Sequence, residues 1–202
     1  AVADRPLPPH RHPVIDLHFV TPELAVGASF PMEAAARLAT EHGIERVVDL
    51  RVEDCDDEEV LRVQGIRLLH LPTEDCRAVS PRHLGDGVAF ALEGMNQGER
   101  VFIHCQYGIG RSALLALCVL VARGDPPLRA MARLKEARPT ISPAPEQLLA
   151  LTEFCRGHAR RTGAPWPIPT LEQLGTIAWR HLRLGGEGIE ADRARRASTR
   201  GR

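Results

Sequence analysis

The stretch His104-Cys105-Gln106-Tyr107-Gly108-Ile109-Gly110-Arg111-Ser112 carries a thiol and a guanidinium with five residues between them, two of which are glycines. An apolar run, Val101-Phe102-Ile103, leads in, and a helical run, Ala113 to Val121, leads out. A strand, a glycine-bearing turn and a helix N-terminus make a cradle of backbone N–H groups, and such a cradle holds an anion. A thiol in that positive field loses its proton more easily than a free one. The spacing lets the backbone curl once around a phosphoryl group, whose three equatorial oxygens carry the charge during transfer. Gly108 and Gly110 suit the positive-φ or close-approach positions that the curl needs. Arg111 offers two parallel donors, which a lysine cannot. Ser112 can donate to the Cys105 sulfur, most usefully when sulfur is a leaving group. His104 is expected to face away from substrate and fix the loop. These residues together suit phosphoryl transfer to sulfur. The competing account makes Cys105 a small core residue beside a common Gly-x-Gly turn.

Such a loop needs elements to position it. Val14 to Phe19 and Leu24 to Ala28 read as short strands joined at Thr21-Pro22. Pro31 opens a helix that Gly43 closes. Ile44 to Leu50, Ile66 to Leu71 and Val101 to His104 are further strands. The acidic stretch Glu53 to Glu59 reads as a solvated loop entering a short helix, with metal binding as the alternative. Ser80-Pro81 starts a helix that runs to Asn96 despite Gly85 and Gly87. Further helices start at Arg111, Pro126 and Pro143, the last two capped by Asp125 and Ser142. Alternating strands and helices imply an α/β fold, a central mainly parallel sheet of about four to five strands flanked by helices. Ligands bind such sheets beyond the carboxyl ends of strands, where Cys105 falls.

The nine-residue stretch resembles the His-Cys-x5-Arg-Ser/Thr motif shared by cysteine-based protein tyrosine and dual-specificity phosphatases. Leu24-Ala25-Val26-Gly27, Gly43 to Leu50, Ala137 to Ile141 and Gln147-Leu148-Leu149 resemble the dual-specificity group in the same order, so the similarity spans residues 14 to 158. It implies Cys105 as nucleophile, Arg111 and the amides from Gln106 through Tyr107, Gly108, Ile109 and Gly110 as phosphate binders, and Ser112 and His104 as supports. No cofactor and no metal are implied. The family also uses an aspartate some thirty residues before the cysteine, as acid and then base. Asp75, in Leu71-Pro72-Thr73-Glu74-Asp75-Cys76, stands there, with Glu74 as runner-up. Both are otherwise solvated turn carboxylates.

Relatives act on phosphotyrosine, phosphoserine or phosphothreonine, and some on phosphoinositides or other phospholipids. Those that prefer inositol lipids tend to carry lysines in the loop. Gln106, Tyr107 and Ile109 are neutral, which tilts the expectation toward phosphoprotein, with phospholipid as the alternative. Two remoter readings are a rhodanese-type sulfurtransferase, whose loop is usually one residue shorter, and a non-catalytic phosphate-binding module. Gln147 is a candidate for placing the hydrolytic water. Arg51 and Arg138 are candidates for substrate contact, His70 and His83 for approach to the site, and Cys76 for a protective disulfide with Cys105. For each of these a structural role is the default.

At 202 residues and 44% hydrophobic, the chain supports one good core with appendages. A formal net charge of zero supplies no global pull toward nucleic acid or anionic lipid. No apolar stretch is long enough for a membrane span. Five irregularly spaced cysteines argue for a reducing compartment, hence an expected cytoplasmic location. Residues 1–13, rich in Pro and His and without a signal-peptide pattern, read as a loose arm. The phosphatase domain is expected over 14–160. A linker and an amphipathic helix, Thr170 to Leu184 closed by Gly185, should occupy 161–185, and a charged disordered tail 186–202. Within that tail, Arg195-Arg196-Ala197-Ser198 resembles a basic-directed kinase site.

Overall fold

The computed structural model describes residues 14–182. The expected arm, the closing Gly185, the charged tail and its kinase-like site lie outside the described residues. Five strands form one sheet in the order β1-β2-β5-β3-β4: β1 is Leu17–Thr21, β2 Leu24–Gly27, β3 Ile44–Arg51, β4 Arg67–Thr73 and β5 Arg100–His104. Only the β1–β2 hairpin is antiparallel; β2, β5, β3 and β4 run parallel. The fold is thus the helix-flanked, mainly parallel sheet that the alternating pattern implies. β5 lies at its centre, and its carboxyl end delivers Cys105.

The helices are α1 (Ala35–Thr40, after a 3-10 turn Met32–Ala34), α2 (Glu58–Val63), α3 (Pro81–Asn96), α4 (Arg111–Ala122), α5 (Pro127–Ala137), α6 (Pro145–Thr162) and α7 (Leu171–Ala178). One face of the sheet carries α1, α2 and the smaller core around Phe30, Leu38, Leu61 and Phe102. The larger core covers the other face, where α4 is buried on all sides except at Ala122. A helix apolar all round belongs in such a place. α7 joins this core through Leu174 and Ala178.

Three local expectations need correction. The first strand starts at Leu17, not Val14, and runs on to Thr21, whose hydroxyl accepts the N–H of Glu23 and Leu24 to make the hairpin turn. Asp125 does not cap α5: Pro126 holds the cap position and Asp125 pairs with Arg133. Ser142 does not cap α6 either: that helix begins after Ala144, where the Gln147 side chain accepts the Ala144 N–H, and the Ser142 N–H is used elsewhere. Gly87, unexpected inside α3, has a packing reason, since a Cβ there would lie 2.8 Å from Leu115 and 3.0 Å from Leu71.

Candidate active site

The loop 105–110 is held from outside by its carbonyls. Ser29 donates to the Gln106 carbonyl through N–H (3.2 Å) and hydroxyl (3.3 Å). Arg138 donates to the carbonyls of Tyr107 (3.1 Å) and Gly108 (2.7 Å), and the Ser142 N–H to that of Ile109 (3.0 Å). A planar trans peptide carries its N–H opposite its C=O, so four carbonyls fixed outward turn the N–H groups of residues 107 to 110 inward. Gly108 has φ +65°, and a Cβ on it would sit 2.3 Å from the Gly27 backbone, so β2 and the loop touch only because residue 108 lacks a side chain. A Cβ on Gly110 would lie 2.6 Å from Gln147 Oε1.

The inward amides face a pocket of ≈ 200 Å³ lined by Asp75, Cys76, Cys105, Tyr107, Ile109, Gly110, Ser142, Ala144 and Gln147. Cys105 is 3% exposed and lies at its floor, its sulfur 3.4 Å from the Ser112 hydroxyl. Cys118 and Cys155 lie in the apolar core, where burial pushes the thiol up, to about 12 for Cys155. The thiol at the loop, in contrast to these two, meets a hydroxyl and a cavity together.

Arg111 is fully buried, and its fork is partly occupied. Nη1 donates to Glu53 Oε2 (2.8 Å) and to the Thr73 carbonyl (2.7 Å), and Nη2 to Glu53 Oε1 (2.7 Å). Asp75 Oδ1 lies 3.3 Å from the same Nη2. The buried Nε finds no partner among the described residues. A buried donor left open is costly unless a ligand satisfies it, and an oxyanion is the complement of a guanidinium N–H. Arg111 in turn holds the Glu53 carboxyl down to about 2.

Asp75, 59% exposed, faces the arginine from the loop after β4, whereas Glu74 points to Arg77 at 3.9 Å. The geometry therefore separates the two candidate acids. His104 stacks on Phe102 and meets Phe30 edge-on, and its Nε2 donates to Asp56 Oδ2 at 2.9 Å. Gln147 reaches the pocket, although its Oε1 takes the Ala144 N–H and its Nε2 donates to the Arg77 carbonyl. Cys76 lines the same pocket with φ +61°.

Arg51, Arg138 and His70 take the structural roles that are their default, and the acidic stretch departs from its expected solvated loop. Arg51 does not face substrate: it is buried among Asp49, Asp54 and Asp56. Arg138 lies behind the loop, and His70 bonds the Arg51 carbonyl at 2.6 Å. His83 offers only its backbone N–H, to Ser80. The acidic stretch is not simply solvated, because Glu53 pairs with Arg111 and Asp56 is 4% exposed. Asp49, Asp56 and His104 could together offer a cation three ligands, but the Arg51 guanidinium already bridges the two carboxylates. Glu53, Asp56, Ser29 and Asp16 carry no motif signal. Only the rule that a buried guanidinium needs a carboxylate could have pointed to the three acids, and it gives no hint of Ser29.

Comparison with known proteins agrees with the geometry. The family described as "Dual specificity phosphatase, catalytic domain" matches residues 29–156. The rat protein "Phosphatidylglycerophosphatase and protein-tyrosine phosphatase 1" is 28% identical over 151 residues, 71% of this chain and 78% of its own length. Human "Dual specificity protein phosphatase 16" is 34% identical over 126 residues, which cover 61% of this chain and 18% of that protein. Among solved structures, PTPMT1 superposes with a TM-score of 0.68 at 26% identity, covering 73% of this chain and 98% of that one. PTPMT1 in complex with PI(5)P gives 0.68 at 25% identity, covering 72% and 97%.

Proposed function

Because the chain belongs to the dual-specificity phosphatase catalytic-domain family, we propose that it hydrolyses phosphomonoesters of proteins through a phosphocysteine at Cys105. The observation that carries this reading is the outward anchoring of four loop carbonyls around one sulfur, beside an arginine whose Nε is open. In the first step Cys105 Sγ attacks phosphorus as the ester oxygen departs, and Asp75 gives that oxygen its proton. The amides of residues 107 to 110 and the Arg111 Nε hold the three equatorial oxygens as charge spreads over them. In the second step Asp75 takes a proton from water, the water oxygen attacks phosphorus, and the S–P bond breaks. Ser112 donates its hydroxyl proton in a hydrogen bond to the departing sulfur. His104, tied to Asp56, fixes the start of the loop. None of these steps calls for a cofactor or a metal.

The choice of protein over lipid is supported by the mouth. An open groove of ≈ 640 Å³ adjoins the pocket and is lined by Val52, Glu53, Asp54, Glu74, Asp75, Gln106 and Tyr107. Carboxylates there disfavour a second phosphate or an anionic bilayer and favour basic residues beside a phosphorylated side chain. The names of the relatives support a second reading, a phospholipid phosphatase of the same mechanism. The five thiols fit a cytoplasmic setting for either.

A panel of phosphopeptides, inositol phosphates and phosphatidylglycerophosphate vesicles, assayed without added metal, separates the two readings. Phosphopeptide turnover at least tenfold above lipid turnover supports the first, and the reverse order overturns it. Cys105→Ser should turn over nothing in the panel while still binding inorganic phosphate.

A further inference from the structure

Residues 141–143 lie between the loop and the last helix and are bonded from both sides. Toward the loop, the Ser142 N–H donates to the Ile109 carbonyl. Toward the helices, Lys135 Nζ donates to the Ile141 carbonyl (2.6 Å) and to His181 Nδ1 (2.7 Å), and Trp179 Nε1 donates to the Pro143 carbonyl (2.9 Å). Alternate carbonyls of an extended chain face one side and the N–H between them the other, and the three bonds follow that alternation. The Ile109 carbonyl is therefore tied, through one short segment, to the end of α7. Trp179 and His181 stand outside residues 29–156, so the tie lies beyond the stretch matched by the family.

Packing alone does not call for these polar tips. Leu174 and Ala178 already anchor α7 in the core. Lys135 is the chain's one lysine and is 1% exposed, where an apolar side chain would be cheaper. Burial brings its ammonium down to about 8.

We propose that Trp179 and Lys135 are positioning residues for the catalytic loop: through the carbonyls of Pro143 and Ile141 they set the place of Ile109, and so the aim of the N–H groups beneath the phosphoryl oxygens. This rests on the phosphatase reading of that loop. It makes α7, which lies beyond the stretch matched by the family, a part of the active site's support. Loss of these two side-chain bonds would lower turnover with the core still folded.

Two variants keep packing and remove the tie. Trp179→Phe leaves a ring against Gly175, where a Cβ would sit 2.5 Å from the indole, and Lys135→Met keeps the aliphatic stem. The double variant should lose about tenfold in kcat/KM for para-nitrophenyl phosphate, since a misplacement of about 1 Å can cost a hundredfold. Inorganic phosphate should bind both variants more weakly, and each single variant should shift melting by no more than ~3 °C. Leu174→Ala, on the same helix, should lower the melting midpoint and keep phosphate affinity.

Unchanged kcat/KM and phosphate affinity in the folded double variant would overturn the proposal. So would losses that Leu174→Ala reproduces at equal stability. Phosphate affinity, read by calorimetry, distinguishes the two levels of argument. A wild type that hydrolyses no phosphomonoester refutes the proposed function, while a variant that binds phosphate as well as wild type refutes the positioning role.

Discussion

Two arginines grip the same loop, and they are finished differently. Arg138 uses all five of its N–H donors: Nε on the Gly108 carbonyl, Nη1 on Asp16 and His18, and Nη2 on Asp16 and the Tyr107 carbonyl. Arg111 is as deeply buried, turns its Nη atoms to the Glu53 carboxylate, the Thr73 carbonyl and, at 3.3 Å, Asp75, and keeps Nε open. Arg138 is closed within the protein and stabilises the loop. Arg111 is open toward a ligand, and its carboxylate partner Glu53 is 39% exposed, where solvent screens the pair. A saturated fork supports a structure; an unsaturated one is ready for an oxyanion.

The largest expected effect breaks the open side. Arg111→Lys should reduce kcat/KM for para-nitrophenyl phosphate by about a thousandfold or more, since a point charge cannot replace the fork. Steady-state kinetics beside a denaturation curve would show whether activity falls much further than stability. Arg138→Met should do the reverse. It strands Asp16 and two carbonyls and should cost about 3 kcal/mol in urea unfolding, with activity per folded molecule reduced much less than in Arg111→Lys. Equal ratios of activity loss to stability loss in the two variants would erase the distinction.

Asp75→Asn comes next. It should slow phenyl phosphate far more than para-nitrophenyl phosphate, whose leaving group needs little protonation, by about a hundredfold on the former. If Glu74→Gln reproduces that leaving-group dependence and Asp75→Asn does not, the acid has been misassigned.

The smallest effect sharpens the Glu53 side. Its carboxyl is held at about 2, below its ordinary value, chiefly by its bond to Arg111. The stability from that pair is full above the unfolded carboxyl's pKa of about 4.3 and is lost as pH falls through the folded value. Melting midpoints of wild type and Glu53→Gln should differ modestly at pH 6 and converge toward pH 2. A difference that does not change with pH would mean that the pair contributes no linkage.

The strand cores, the Ser80-Pro81 helix start and the strand-loop-helix passage around Cys105 were legible because each is written in adjacent residues: the Val101-Phe102-Ile103 run, the serine-proline pair and the cysteine-to-arginine spacing. The supports were not. Glu53 meets Arg111 across 58 positions and Asp16 meets Arg138 across 122, and a charge pair at such range leaves no local pattern. An acidic run looks solvated until the fold sets a buried guanidinium beside it. Cap residues misled for a related reason, since Ser142 was needed by the loop and Gln147 could close α6 from inside.

The measurement closest to the central claim is a rapid-quench trap with phosphate-labelled substrate, followed by peptide mapping. The account predicts a phosphoryl group on the peptide containing Cys105, absent from Cys105→Ser and accumulating within the first turnover. Full turnover with no label on that cysteine, or label carried by another side chain, would contradict it.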